Sequence, residues 1–418
     1  MKLSRTCVKF NKFRGSDEFI SQEILFQCSQ LKRHAAGIYG LGHFLLKARN
    51  KLIEILRNNL EAFGCAEISL PVLQPKALWQ ASGRFKTFTS NNQMFTFKGR
   101  NGVCCLAPTG EEIVLDFVKN SVVSYKDLPI NVFQIGNKYR DEVRVRGGLL
   151  RSKEFLMKDG YSFHASFEDM VREYGLMKQC YKKIFADLSL EVVIVKAVNN
   201  EMGGKISEEF MTISRTGEDK ILIDKKSQIA LNVEVVENEN LLKNLSSEFE
   251  NFSIDDFEEI NCIELAHIFQ LGTFYSEKMD GLFTDFDGLK KPYFMGCYGI
   301  GVNRVLGAVC EVNCDEEGLK WPRALAPYKA AIIYLPKLKN EADKVYKNLL
   351  ENKVEVVLFD SYDSFGSQMK NAKLLGFPNV IILGKHFIEH AELEIEIRSN
   401  SEKVFLDVEN LVSFLIQH

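Results

Sequence analysis

The stretch RDEVRVRGGLLRSKEFLMKD (residues 140–159) decides how this chain is read. It lies across two apolar, aromatic segments, INVFQIGNKYRDE (130–142) and EFLMKDGYSF (154–163), joined by a basic connection that contains Gly147 and Gly148. That is the pattern of an antiparallel hairpin with a long loop. On a strand, residues two apart share a face, so the spacing predicts that Arg140 and Glu142 point together into whatever the sheet faces. The planar fork of an arginine suits a phosphate or carboxylate. A carboxylate beside it can orient that fork or accept from an amino group of a base. Phe155 supplies an aromatic face, and Arg151 a second cation. The alternative is an exposed basic hairpin with Phe155 in the core, and the segment by itself leaves both open.

A second block, MGCYGIGVNRVLGAVCE (295–311), reads as a strand feeding through glycines into a helix, with Arg304 one turn in. Gly296, Gly299 and Gly301 do not make G-x-G-x-x-G, no acidic residue follows at the distance a dinucleotide fold needs, and no Walker loop is present. The glycines either allow close backbone approach to a ligand that Arg304 reaches from the helix start, or serve helix–sheet packing. Taken together and in this order, the two blocks suggest the halves of one ATP site in a ligase that activates a carboxylate. Adenylate formation is an in-line attack on the α-phosphorus, carried by positioning and charge stabilisation. No Ser/His/Asp triad or activated cysteine is needed.

With 418 residues, 46% hydrophobic and 26% charged, the chain reads as globular with two or three domains. A net charge of −3 requires any nucleic-acid contact to rest on local clustering, as in Lys138, Arg140, Arg144, Arg146, Arg151, Lys153 and Lys158. Ten cysteines without a paired CxxC framework read as free thiols in a reducing cytoplasm, not as zinc ligands. No window approaches the length of a membrane helix. Apolar spacing predicts helices over 34–63, closed by Gly64, over 110–120 and over 166–188. Strands are expected at 65–75 (broken by Pro71 and Pro75), 103–108 and 191–198. The acidic, Asn/Ser-rich interval 235–260 reads as a surface excursion with a short helix. GLKWPRALAP (318–327) reads as a linker. Beyond it, KAAIIYL, VEVVLFD and NVIILG alternate with helical segments at 340–352 and 366–375, the plan of a small α/β unit.

The order of a strand ending in Pro71, the Arg-x-Glu…Arg-x-x-x-Phe hairpin and the Gly-rich strand–helix with Arg304 resembles motifs 1, 2 and 3 of class II aminoacyl-tRNA synthetases. LAPTGEE (106–112), SYKDLP (124–129), RSKEFLMKDGYSF (151–163), GGKISEEF (203–210), IELAHIFQLGTFYS (263–276) and MGCYGIG (295–301) resemble the bacterial-type prolyl-tRNA synthetases more closely still. The resemblance runs from about residue 20 to the C-terminus. It implies an α+β catalytic domain built on an antiparallel sheet over 1–317, a linker at 318–327, and a C-terminal α/β anticodon-binding domain over 328–418. It also implies a cytoplasmic homodimer, paired through motif 1, that joins L-proline to tRNA(Pro) through prolyl-adenylate, with ATP and Mg2+.

By the same resemblance, Arg140 would hold the α-phosphate, Glu142 the adenine edge and Phe155 the base, while Arg151 and Arg304 embrace the triphosphate tail. Thr109 and Glu111 would meet the secondary amine, with Arg140, Met157, Phe163, His267 and Cys297 also at the proline site. Magnesium would sit near Glu264. Arg144 would touch the tRNA acceptor end, and Lys370 and Arg398 the anticodon side.

Departures from the family are visible. Many members carry His where this chain has Gly110 and Glu208, and the long editing insertion expected after SQIALNVE (227–234) is missing. The stretch 357–376 has Ser361, Gln368 and Asn371 where the family presents charged side chains. Two other readings are a class IIa synthetase for another amino acid and a non-catalytic paralogue that binds RNA or a protein. The second usually involves loss of an ATP-site arginine, and all three are present.

Overall fold

The computed structural model describes residues 1–11, 19–197, 206–224, 229–236, 257–360 and 363–417. The chain divides into two compact units, one of Ala36–Ile38 with Ile53–Ala308, the other of Met1–Ala35, Tyr39–Leu52 and Val309–His418.

The first unit is built on a sheet with nine strands among the described residues: β1 (Ala66–Glu67), β2 (Ile130–Tyr139), β3 (Glu154–His164), β4 (Val193–Ala197), β5 (Ile206–Ile213), β6 (Asp219–Asp224), β7 (Ile229–Asn232), β8 (Glu258–Gly272) and β9 (Phe294–Gly301). Their order is β5-β4-β7-β6-β8-β9-β3-β2-β1, and β5 also pairs with β8. All pairings are antiparallel except β1–β2 and β4–β7. The predicted hairpin is β2–β3, in register from Ile130↔Phe163 to Tyr139↔Glu154. Residues 237–256, most of the expected surface excursion, lie outside the described residues, as do Gly203, Gly204 and Ser361. Glu258, Glu259 and Ile260 from the end of that interval open β8, so the excursion ends sooner than expected.

The helix Phe167–Asp187 covers one face of this sheet. Ser166 caps it by accepting from the Asp169 amide, and Glu168 and Asp169 place acid at its positive end. Met170, Tyr174, Met177, Tyr181 and Ile184 recur every three or four residues and are buried against the strands. The helix expected over 34–63 is shorter. Residues 31–41 fold back as a hairpin, Leu31–Ala35 with Ile38–Leu41, around Gly37 at φ +75°, and the helix runs His43–Ala62. Leu45, Leu52, Leu56 and Leu60 are buried as the spacing predicts, whereas Leu46 is exposed. Gly64 at φ +83° ends the run, a conformation that favours glycine.

A separate three-stranded sheet, Leu73–Pro75, Gly102–Leu106 and Thr96–Gly99, turns Gln74 and Cys105 inward, with Cys105 in a core cluster with Trp79, Phe88 and Met94. Its other face carries Leu73, Pro75, Phe97 and Cys104, and Leu73 and Phe97 are 54% and 45% exposed.

In the second unit a five-stranded sheet runs Val356–Leu358, Ala330–Tyr334, Asn379–Leu383, Leu393–Ile397, Lys403–Leu406. The first three are parallel and the rest antiparallel. Its helices include Lys339–Glu351 and Phe365–Leu375, matching the predicted segments. Residues 318–327 are packed, contrary to the look of a loose tether: Gly318–Leu319 pairs with Cys314–Asp315, and Trp321, Leu325 and Ala326 are buried. Two prolines remove helical periodicity without removing burial. All ten cysteines are free, and no helix among the described residues is long and apolar enough to cross a membrane.

One buried charge tests this packing. Lys158 on β3 is fully buried on the side of the helix Phe167–Asp187, where its ammonium donates to Tyr181 Oη (2.9 Å) and the Tyr298 carbonyl (3.1 Å). Burial pulls it down from 10.5 to about 8. The unfolded chain therefore holds the extra proton between about pH 8 and 10.5, so raising pH through that window stabilises the native state by up to about 3 kcal/mol. We expect the melting temperature of the parent to gain on that of Lys158→Met as pH rises from 7 to 10. A constant gap across that range in paired thermal melts contradicts it.

Candidate active site

Sheet register assembles the site. Residues directly opposite on neighbouring strands share a face, and the pairings Glu209↔His267, His267↔Gly299, Gly299↔Asp159 and Asp159↔Gln134 make one row across five strands. Phe269↔Cys297, Cys297↔Tyr161 and Tyr161↔Val132 make the next row. Gly301↔Met157 and Met157↔Gly136 make a third. Glycines in these rows leave the floor open: nothing lies within 4 Å of a Cβ built on Gly136, and the nearest atom to one on Gly299 is 3.6 Å away. Above this floor is a cavity of about 900 Å³.

Arg140, Arg151 and Arg304 all line that cavity, together with Phe155, Glu142 and Glu264. Strand alternation is not what aligns Arg140 with Glu142. β2 stops at Tyr139, the Arg140 amide donates to the Lys153 carbonyl, and the Glu142 amide donates back to the Arg140 carbonyl in a tight turn. The Arg140 guanidinium lies 5.3 Å from the Phe155 ring centroid. Its single hydrogen bond among the described residues runs from Nε to the Pro108 carbonyl at 3.4 Å, and no carboxylate there pairs with it. Burial, then the neighbouring Arg304 cation, lower its pKa. A half-buried guanidinium beside another cation, with no carboxylate paired to it among the described residues, is a place for an anion.

The other two arginines are already paired. Arg151 meets Glu142 at 3.2 Å and Glu218 at 3.1 Å. Arg304 donates to the carbonyls of Leu150 and Glu264 and to the Glu264 carboxylate. Burial would raise the Glu264 carboxyl, but Arg304 and His267 hold it well below the usual carboxylate range. Glu209, by contrast, is pushed up to about 7 by burial and by the Glu264 charge. Glu209, Glu264 and His267 bring one ligand atom each within 4.8 Å of one another. Two carboxylates whose repulsion raises one of them suit a small oxygen-preferring dication, which would relieve that repulsion.

Elsewhere on the cavity lining, Thr109 Oγ1 donates to both Glu111 oxygens (2.9 and 2.8 Å), and Cys297 Sγ and Tyr161 Oη each lie 3.4 Å from Oε1. Burial and the Glu111 charge push the Cys297 thiol well up, which leaves it unsuited to nucleophilic work. Met157 and His267 line the same space, and the His267 ring stacks on Phe269 at 3.8 Å.

Several expected residues fall elsewhere. Phe163 is fully buried in the core and packs edge-on against Tyr293 at 5.8 Å, off the cavity lining. It shares a strand face with Tyr161 but lies one row too deep. Arg398 is 3% exposed and bound to Asp315 at 2.5 and 3.1 Å and to the Gly318 carbonyl, so it is a structural ion pair and offers nothing to an RNA. Gln368 and Asn371 are also buried, and Gln368 exchanges hydrogen bonds with the Tyr334 backbone. Arg144 and Lys370 are exposed.

Sequence reasoning did not single out Arg84, Glu112, Asp159, Tyr161 or Glu209. Asp159 and Tyr161 continue the period-two face of Met157, a signal present in the quoted hairpin; Glu112 and Glu209 fall inside the quoted stretches LAPTGEE and GGKISEEF, and Arg84 had no signal. Asp159 pairs with buried Lys138 at 2.9 Å and accepts from Gln134 and Tyr161. A Cβ on Gly110 would meet its Oδ2 at 2.6 Å, so this network occupies the space beyond Gly110.

Comparison with known proteins agrees with this geometry. Residues 95–313 match the tRNA synthetase class II core domain (G, H, P, S and T), and residues 329–418 match an anticodon binding domain. The proline–tRNA ligase of Sulfurimonas denitrificans is 36% identical, covering 97% of this chain and 97% of that protein. That of Rickettsia bellii is 35% identical, covering 94% and 93%. The fold is also that of prolyl-tRNA synthetase from Cryptosporidium parvum, solved with halofuginone and AMPPNP, at a TM-score of 0.76 and 16% identity over 96% of this chain and 76% of that one. A mostly antiparallel sheet with its arginines gathered over one cavity, matched along nearly the whole chain by these relatives, makes this protein a member of the proline–tRNA ligase family of class II aminoacyl-tRNA synthetases.

Proposed function

We propose that this protein activates L-proline with ATP to prolyl-adenylate and transfers the prolyl group to the 3′ end of tRNA(Pro). The observation that carries the reading is the unpaired Arg140 guanidinium facing the cavity between the Phe155 ring and Arg304. The substrate carboxylate attacks the α-phosphorus in line and pyrophosphate departs. Arg140 meets charge on the attacking carboxylate and the α-phosphate, Phe155 stacks the base with Glu142 at its edge, and Arg151 and Arg304 hold the tail. Thr109 and Glu111 take the secondary amine, with Met157, His267 and Cys297 around the ring. Glu264, with Glu209 beside it, would hold Mg2+, whose charge offsets that of the phosphates. In the second step the terminal hydroxyl of the tRNA attacks the activated carbonyl and AMP leaves.

Around this chemistry we assign residues 1–317 to catalysis and 328–418 to anticodon binding. Arg144 serves the acceptor end, and exposed Lys370 the anticodon side. Arg398, held by Asp315, serves the fold. Ten unpaired cysteines accord with the reducing cytoplasm. A homodimer is supported by the apolar sheet face of Leu73, Pro75, Phe97 and Cys104, which follows the motif 1 proline.

Proline-dependent ATP–pyrophosphate exchange, run with each of the twenty amino acids, tests the assignment. Arg140→Ala should lower kcat/KM for exchange by at least about a thousandfold, and a folded variant with more than a tenth of parental exchange overturns the role. Alanine should be activated about 10² to 4 × 10⁴-fold less efficiently than proline, two carbons at roughly 10–200-fold each. Alanyl-tRNA should then persist in the presence of the purified protein, and its rapid hydrolysis would reveal an editing activity. Leu73→Asp combined with Phe97→Asp should halve the mass seen in sedimentation, while an unchanged mass places any dimer contact elsewhere.

A further inference from the structure

Behind the amine end of the cavity lies a buried cation that the assigned roles leave unused. Arg84 is 4% exposed and packed among aromatic rings, its guanidinium carbon 4.5 Å from the Phe88 centroid, 5.4 Å from Trp79 and 5.3 Å from Tyr275. Its Nη1 lies 3.1 Å from Glu111 Oε2, and 3.2 and 3.3 Å from the two oxygens of Glu112. Both glutamates are fully buried, and they are adjacent in the chain. Two neighbouring carboxylates in a low-dielectric interior do not both ionise freely, and each competes to be the one that takes a proton.

The surroundings of the two differ. Three side chains offer hydrogens to Glu111, namely Thr109, Cys297 and Arg84, while the single Tyr161 hydroxyl hydrogen goes to the nearer Asp159. Among the described side chains, Glu112 receives Ser82 Oγ, at 2.7 Å, besides Arg84. Accordingly, burial opposes ionisation at both, yet Arg84 and Thr109 hold Glu111 low, whereas burial and the Glu111 charge leave Glu112 high. Glu111 lines the cavity, and neither Arg84 nor Glu112 does.

We propose that Arg84 is a positioning residue for amino-acid specificity: from behind the cavity wall it keeps Glu111 ionised and fixed in orientation toward the secondary ammonium of the substrate, and directs any shared proton onto Glu112. This rests on the proline-activating reading above, because it needs a cationic amine at Glu111. No atom of Arg84 touches the substrate. It acts only through the charge and aim of that carboxylate.

In ATP–pyrophosphate exchange, Arg84→Met should raise the KM for proline at least tenfold at pH 7 while leaving the KM for ATP within twofold. The proline defect should shrink as pH rises toward 9, because Glu111 without its cation ionises only at higher pH. Arg84→Met/Glu112→Gln should recover part of the loss at pH 7, since the competing carboxylate is gone. Equal rises in both KM values, or a defect independent of pH and of Glu112→Gln, assign Arg84 to structure alone and overturn the proposal. Should Arg84→Met fail to fold, Arg84→Lys decides: a three- to tenfold higher KM for proline with unaltered ATP kinetics supports it, and values within twofold of the parent overturn it. If the unaltered protein shows no proline-dependent exchange, the underlying reading fails instead, whatever Arg84 does.

Discussion

Like charges repel, and the site depends on how this chain holds three guanidinium groups around one space. Arg151 and Arg304 are each neutralised by carboxylates from other strands and loops, Glu142 and Glu218 for the first, Glu264 for the second. That arrangement uses up their charge locally and leaves Arg140 as the member without a paired carboxylate among the described residues. Charge interactions in a protein interior are far stronger than in water. The cost of assembling the cations is met during folding, so none remains to be met when a triphosphate arrives.

The sheet supplies the rigidity this needs. Each wall residue is fixed by its pairing with the next strand, so Glu209, His267, Asp159, Cys297 and Tyr161 keep their spacing without relying on a loop. Glycine does the complementary work. Gly136 and Gly299 have ordinary extended backbone, so what they contribute is the missing side chain, not an unusual turn. At Gly110 the argument is the reverse: Asp159 and Tyr161 already fill the space a side chain would take. Asp159, Tyr161 and Lys138 form a carboxylate–tyrosine–lysine network at that place.

Both signs of charge line the cavity. Its lining holds three arginines and, among its acids, the Glu111 carboxylate ringed by donors. On the proposed reading, Arg140 takes the carboxylate of the amino acid and Glu111 its ammonium.

Much of the fold was legible before any coordinates. The β2–β3 hairpin, the helices Phe167–Asp187 and Phe365–Leu375, and the α/β plan of the second unit follow from periodicity, and periodicity is a local property of the chain. The local chain also identified the three arginines, since their type and order in two motifs depend on nothing distant. What the chain could not announce is which charged side chain finds a buried partner. Arg398 looked like a nucleic-acid contact and is consumed by Asp315, while Arg84 carried no signal and lies against the two most buried glutamates of the site. Phe163 and Tyr161 share one strand face, yet a single sheet row separates core from cavity. Ion pairing and burial are set by residues far apart in sequence, so they exist only once the strands are in register.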